Sequence, residues 1–186
     1  MWWPRCPRVF FPNCASSGSP WPPSIPPVAG RPVEIEFRAT IRDSAGGEAH
    51  AATDLRKRRM VIEEALMAHP EEFARIFVHE LFHFAWLRLG NVKRRSYEDL
   101  VARELRRGVR GELGWSAEWR KKQLASRDRK ERTRKWREYC CESFCDTAAW
   151  LYAGVPRHAE FTLARQARAG RRGWFRGSGV DKGVAI

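Results

Sequence analysis

Residues 75–87 read RIFVHELFHFAWL, and from Ile76 to Leu87 the only side chains that are neither apolar nor aromatic are His79, Glu80 and His83. Just upstream, His69-Pro70-Glu71-Glu72 is a helix start. Proline suits the first helical position, where no amide N–H is needed, and the two carboxylates complement the positive end of the helix dipole. Gly90-Asn91 is a stop. The expected helix therefore spans 70–89 and carries three polar groups in a segment that otherwise reads as buried. Each would cost about 1–3 kcal/mol if left unpaired, the carboxylate more. Hydrogen-bonding partners in the core, or one bound cation, would satisfy them.

On a helix, His79 and His83 stand one turn apart, separated by about 6 Å of axial rise, so both imidazoles can reach a single ion. Glu80 lies beside His79, where it can take a proton from a water on that ion, and HELFH has the HExxH spacing that serves this chemistry at zinc. A hydrolytic zinc needs a third protein ligand and an open fourth position. The chain has Trp86 and Leu89 where an HExxHxxGxxH extension needs glycine and histidine, and its next histidine is His158. The other polar island in an apolar helical segment is CESFCD, residues 141–146, in which Glu142 and Asp146 are four apart and share a face. Two alternatives to Glu142 stand beside it. Glu138 is one turn earlier but can pair with Arg134, and His158 would complete a three-histidine site.

HExxH on one helix with ExxxD on a later one resembles the gluzincin arrangement of thermolysin-like peptidases and of their compact relatives, the minigluzincins and repressor-cleaving immunity peptidases. The likeness runs from about Arg58 to Gly154 and rests on these two motifs, with a spacer of about 60 positions from His83 to Glu142 that is longer than in thermolysin. It implies an α+β, zincin-like domain in which a small mixed sheet packs on the HExxH helix and on a second ligand-bearing helix. It further implies a zinc metallopeptidase with one zinc per chain on His79, His83 and Glu142, Glu80 as general base, and a peptide or protein substrate. Asp146 would hydrogen-bond the outer nitrogen of a ligating histidine, His79. In such folds an edge strand upstream of the helix receives the substrate backbone. RRMVIEEAL, residues 58–66, has the matching place, and reads equally well as an ordinary sheet strand.

Cys140, Cys141 and Cys145 add thiols to the second helix. Adjacent cysteines on a helix diverge by about 100° and make a poor chelate, so core packing is the expectation, with redox sensing the other use of thiols there. Groups able to stabilise a tetrahedral oxyanion are Tyr97, Tyr139, Tyr152, His158 and several arginines, among which the sequence does not choose.

The 186 residues are 43% hydrophobic, enough for one core. Residues 1–30, rich in Pro, Ser and Trp, read as a disordered lead, 31–158 as the metallopeptidase domain, and 159–186 as a mobile basic Gly/Arg-rich tail. Inside the domain, PVEIEFRATI alternates as a half-buried strand, SAGGEAH is a turn, and Met60–Ile62 is a short strand placed at a sheet edge. A helix is expected from Ser96 to Gly108 and another capped by Ser116. The charged run 126–138 would be its solvated face, before a buried helical segment from Tyr139 to Gly154.

A formal net charge of +13 favours acidic or phosphate-rich partners. RDRKERTRK and ARAGRRGWFRG could contact phosphates, so a nucleic-acid-associated protein is the competing function. A regulatory zinc protein in which Glu80 is only structural is another. Five cysteines in no framework spacing, a start without an apolar secretory core, and no apolar run of the roughly 18–20 residues that span a bilayer set the expectation of a reduced, cytoplasmic protein with no membrane partner.

Overall fold

The computed structural model describes residues 9–10, 22, 24–42 and 47–186. The strands are β1 (Val9–Phe10), β2 (Val28–Ala29), β3 (Val33–Arg38), β4 (Ile41–Arg42), β5 (Glu48–Ala49), β6 (Ala51–Asp54), β7 (Arg59–Glu63) and β8 (Val184–Ala185). The α-helices are α1 (Pro70–Arg88), α2 (Gly90–Arg106), α3 (Trp115–Lys122), α4 (Ser126–Glu131), α5 (Arg134–Tyr152) and α6 (Arg165–Gly177). The class is α+β with a small mixed sheet.

That sheet has the order β1-β3-β7-β6, with β3 and β7 parallel and the outer strands antiparallel to their neighbours. Alternation places Val33 and Ile35 of β3, and Met60 and Ile62 of β7, in the core beside the apolar side of α1. Residues 58–66 thus supply a central strand, not the edge expected of them. The edge beside α1 among the described residues is β6, whose sequence AATD is too short and too weakly apolar to announce a strand. The expected turn at residues 44–50 falls partly on 43–46, and much of the Pro-rich lead on 1–8, 11–21 and 23, all outside the described residues.

α1 fulfils the helix expected for 70–89, with Pro70 in its first turn, and buries Phe77, Val78, Leu81 and Phe82 completely. At Gly90 the backbone turns left-handed (φ 77°) and α2 follows at once, six residues before the expected start at Ser96. Ser96 caps nothing; its hydroxyl accepts from Trp174 Nε1 at 3.0 Å. Ser116 is likewise inside α3, which begins one residue earlier.

The charged run is broken rather than continuous. Arg132 adopts φ 50°, and Asp128 accepts from the Ala125 amide (2.8 Å) and the Thr133 hydroxyl (2.7 Å), closing α4. Thr133 then caps α5, which extends upstream of Tyr139 to Arg134. The 159–186 segment is packed instead of mobile. Phe175 and Ile186 are buried, β8 pairs in parallel with β2, and Arg171 of α6 lies fully buried against Glu104 and Glu112, 2.7 Å from each. A Gly/Arg-rich composition looks solvated until two buried carboxylates from α2 and the loop after it are brought opposite it. Among the described residues, no helix is long and apolar enough to cross a membrane.

Candidate metal centre

α1 packs on α5 more extensively than on any other element, and that contact brings residues 79–83 against residues 141–146. Helical spacing does the local work: His79 and His83 share one face of α1 with ring centroids 5.0 Å apart, and Glu142 and Asp146 share one face of α5. Donor atoms of His79, His83 and Glu142 lie within 4.8 Å of one another.

One pair in the group stands at the separation expected of two zinc ligands. Two donors about 2.0–2.1 Å from a tetrahedral ion lie about 3.3–3.4 Å apart, and His79 Nε2 to Glu142 Oε2 is 3.3 Å. The other nitrogen of His79, Nδ1, is 2.7 Å from Asp146 Oδ1, which holds the ring with Nε2 turned toward Glu142. Asp146 is itself fixed, its Oδ2 accepting from the Ala117 amide at 3.1 Å. Gly114 makes that placement possible, since a Cβ there would stand 2.2 Å from the Asp146 carboxyl carbon. Glu142 accepts from the Ser116 hydroxyl at 2.6 Å, and Arg120 Nη2 lies 3.4 Å from its other oxygen.

Electrostatics follow from these contacts. Burial alone would lower the pKa of His79, but the charge and hydrogen bond of Asp146, followed by those of Glu142, hold it well above its usual value. Burial also opposes the charge on His83, yet Cys141, Glu142 and Glu80 raise it to about 9. Glu142 is held below the usual carboxylate range, because the His79 hydrogen bond and the charges of His83, His79 and Arg120 outweigh the desolvation that would raise it. Two carboxylates thus stabilise positive charge at this point of the core, carried by ring protons that a cation can replace.

Neither a protein-family model, nor a curated protein, nor a solved structure matches this chain.

The remaining sequence-derived candidates separate clearly. Glu80 does not join the cluster; its Oε2 accepts from Thr53 Oγ1 of β6 at 2.6 Å, which holds the carboxylate between the histidine helix and the sheet edge. Glu138 is on the surface, 2.6 Å from Arg134. His158 is taken by Glu72 through Nε2 and accepts from the Glu160 amide through Nδ1. Of the tyrosines, Tyr97 donates to the Ser143 carbonyl and Tyr139 to Glu112, while the Tyr152 ring stacks on Phe82. Arg120 is the arginine that reaches the Glu142 side of the group.

Thr53, Ser116 and Arg120 carry no local sequence signal of a place at this site. Cys141 and Cys145 were treated with Cys140 as core thiols, although their i, i+4 spacing signals a shared face. Both sulfurs approach His83 Nδ1, at 3.5 and 3.6 Å. A hydrogen bond from Cys145, and then His83, bring Cys141 down to about 6 against the effect of burial.

Proposed function

We propose that this chain is a zinc-dependent metallopeptidase with a zincin-like, gluzincin-type centre, in which His79, His83 and Glu142 hold one zinc and Asp146 orients His79. The observation that carries the reading is the tetrahedral-edge separation of His79 Nε2 and Glu142 Oε2, with Asp146 fixing the opposite side of the same ring. Zinc bound there would supply a Lewis acid that polarises a carbonyl and acidifies a water. With zinc in place, Glu80 would be the group to accept that water's proton and return it to the leaving amine, and the Thr53 hydroxyl holds its carboxylate in position. Arg120, beside Glu142, is the candidate for stabilising a developing oxyanion. The outer edge of β6, the end strand of the sheet and half-buried, is where an extended peptide substrate would add as a further strand, beside the Thr53 that holds Glu80. A cytoplasmic setting, where thiols stay reduced, agrees with free Cys140, Cys141 and Cys145.

The test uses Glu80→Gln, which keeps shape and removes basicity. Purified protein should carry about one zinc per chain and cleave peptides in a chelator-sensitive way. The variant should keep its zinc and lose at least about a hundredfold in turnover, the scale of general-base catalysis. Zinc binding without any cleavage by the parent would leave a regulatory zinc protein.

The second reading, nucleic-acid association, has its own observation. A cleft of about 460 Å³ between α2 and α4 is lined by Arg95, Arg106, Arg129, Lys130 and Arg132, together with Glu98, Asp99 and Trp136. Glu98 takes up Arg132 with both oxygens at 2.7 Å, and buried Arg171 is lost to such a role, so the basic character offered to phosphates is smaller than the sequence suggests. Salt-dependent retention on nucleic acid, without chelator-sensitive proteolysis, would favour this reading.

A further inference from the structure

His83 has two ring nitrogens, and the one facing α5 meets two sulfurs. Nδ1 is 3.5 Å from Cys141 Sγ and 3.6 Å from Cys145 Sγ. A ring nitrogen has one lone pair or one proton, so it can hydrogen-bond well to one of these thiols at a time. A cation lying between them would engage both. The distances fit that arrangement: a nitrogen about 2.0–2.1 Å and a sulfur about 2.3 Å from a tetrahedral ion stand about 3.6 Å apart. The donor atoms of His83, Cys141 and Cys145 all lie within 4.8 Å of one another, with Cys141 and His83 half-buried and Cys145 buried. Cys140, one position back, is excluded by helical geometry, since adjacent side chains diverge by about 100°.

We infer that His83 Nδ1, Cys141 Sγ and Cys145 Sγ form a second metal site, selective for a thiophilic d10 cation. The donor set decides the class: two thiolates and an imidazole are soft ligands that suit Cu(I), Cd(II) or Zn(II) and reject the hard ions that prefer carboxylates and water. Binding releases the protons of the ligating groups and involves no change of oxidation state. The inference does not rest on peptidase activity or on His79 and Glu142. It shares only His83 with the proposed zinc centre. One imidazole holds two cations only after surrendering its last ring proton, so filling the thiol site disfavours zinc at the neighbouring one.

Cadmium is the probe, because thiolate-to-cadmium charge transfer absorbs in the ultraviolet and carboxylate or imidazole ligation does not. The reduced, metal-free full chain is titrated with Cd2+. The parent should develop the band, saturating near one equivalent. His79→Ala and Glu142→Ala should keep it even if their zinc binding is lost. Cys141→Ser/Cys145→Ser should lose it while retaining the parent's circular dichroism. X-ray absorption at the cadmium edge of the parent, which depends on no variant folding, should count two sulfurs and at least one nitrogen. No band in the parent, a band that survives in the double serine variant, or a sulfur count other than two would each overturn the inference.

Discussion

Two buried polar clusters flank α5, and they solve the same problem in opposite ways. Around α6, Arg171 and Lys121 face Glu104 and Glu112 at 2.7–3.2 Å, with the Tyr139 hydroxyl donating to Glu112 and Thr147 near Arg171. Two cations answer two anions, and the cluster asks nothing of solvent or ligand. Beside α1, Glu142 is met by Arg120 at 3.4 Å as well as by His79, whereas Asp146 faces a ring proton of His79, and two of the donors already stand at the separation a tetrahedral ion imposes. A buried polar island is therefore not by itself a site. What separates a structural network from a binding one is whether its charges close without a removable proton.

Removing a donor should break the comparison most visibly. His79→Ala, His83→Ala and Glu142→Ala should each lose most of the zinc found by elemental analysis after dialysis, whereas Glu138→Ala should keep it. Stoichiometric zinc in all three would make the α1 cluster no different from the α6 one.

The reciprocal experiment is Arg171→Met, which leaves Glu104 without its cation and Glu112 with Lys121 alone. It should cost about 3–5 kcal/mol in urea unfolding, the usual consequence of deleting one partner of a buried ion pair. Zinc per folded chain should not change. Loss of zinc with little loss of stability would reverse the roles assigned to the clusters.

A smaller effect is expected where Asp146 supports His79. Asp146→Ala should weaken zinc affinity about 10–100-fold in chelator competition. Gly114→Ala should act in the same direction, because its methyl group would occupy the position of the Asp146 carboxylate. Unchanged affinity in both would mean that the ring of His79 needs no orienting partner.

The gentlest test is pH. Burial would raise the Glu112 pKa, but the charge and hydrogen bond of Arg171, with Lys121 and Tyr139, lower it from 4.5. A depressed carboxylate stabilises the fold above its unfolded pKa and loses that contribution as pH falls through the folded value. Thermal midpoints in chelator should therefore drop below about pH 4.5, and Arg171→Met should flatten this dependence.

The HExxH helix was legible because its information is local: an i, i+4 pair in an apolar run, with Pro70 and Gly90 near its ends, needs no tertiary contact to be recognised. The alternation of residues 33–37 was legible for the same reason. β6 was not, since AATD has neither length nor hydrophobic contrast, and its absence from the reading promoted β7 to an edge it does not occupy. Arg171 in a glycine- and arginine-rich run gave no sign of burial, because the carboxylates that neutralise it lie 59 and 67 positions away in the chain.

Spacing within single helices put His79 with His83, and Glu142 with Asp146, on shared faces, since 3.6 residues per turn fixes which side chains share one; Glu80 came from the HExxH pattern, and the roles of Glu142 and Asp146 from the gluzincin resemblance. Nothing in that periodicity says which two faces meet. The packing of α1 on α5 placed Glu142 opposite His79 and left Glu138 and His158 to Arg134 and Glu72. The same packing turned one nitrogen of His83 toward two thiols, and the sheet brought Thr53 to Glu80. Apart from the one-turn Arg134–Glu138 pair, these pairings depend on side chains meeting across separations of 27 to 86 residues, and their geometry exists only once the core between them has formed.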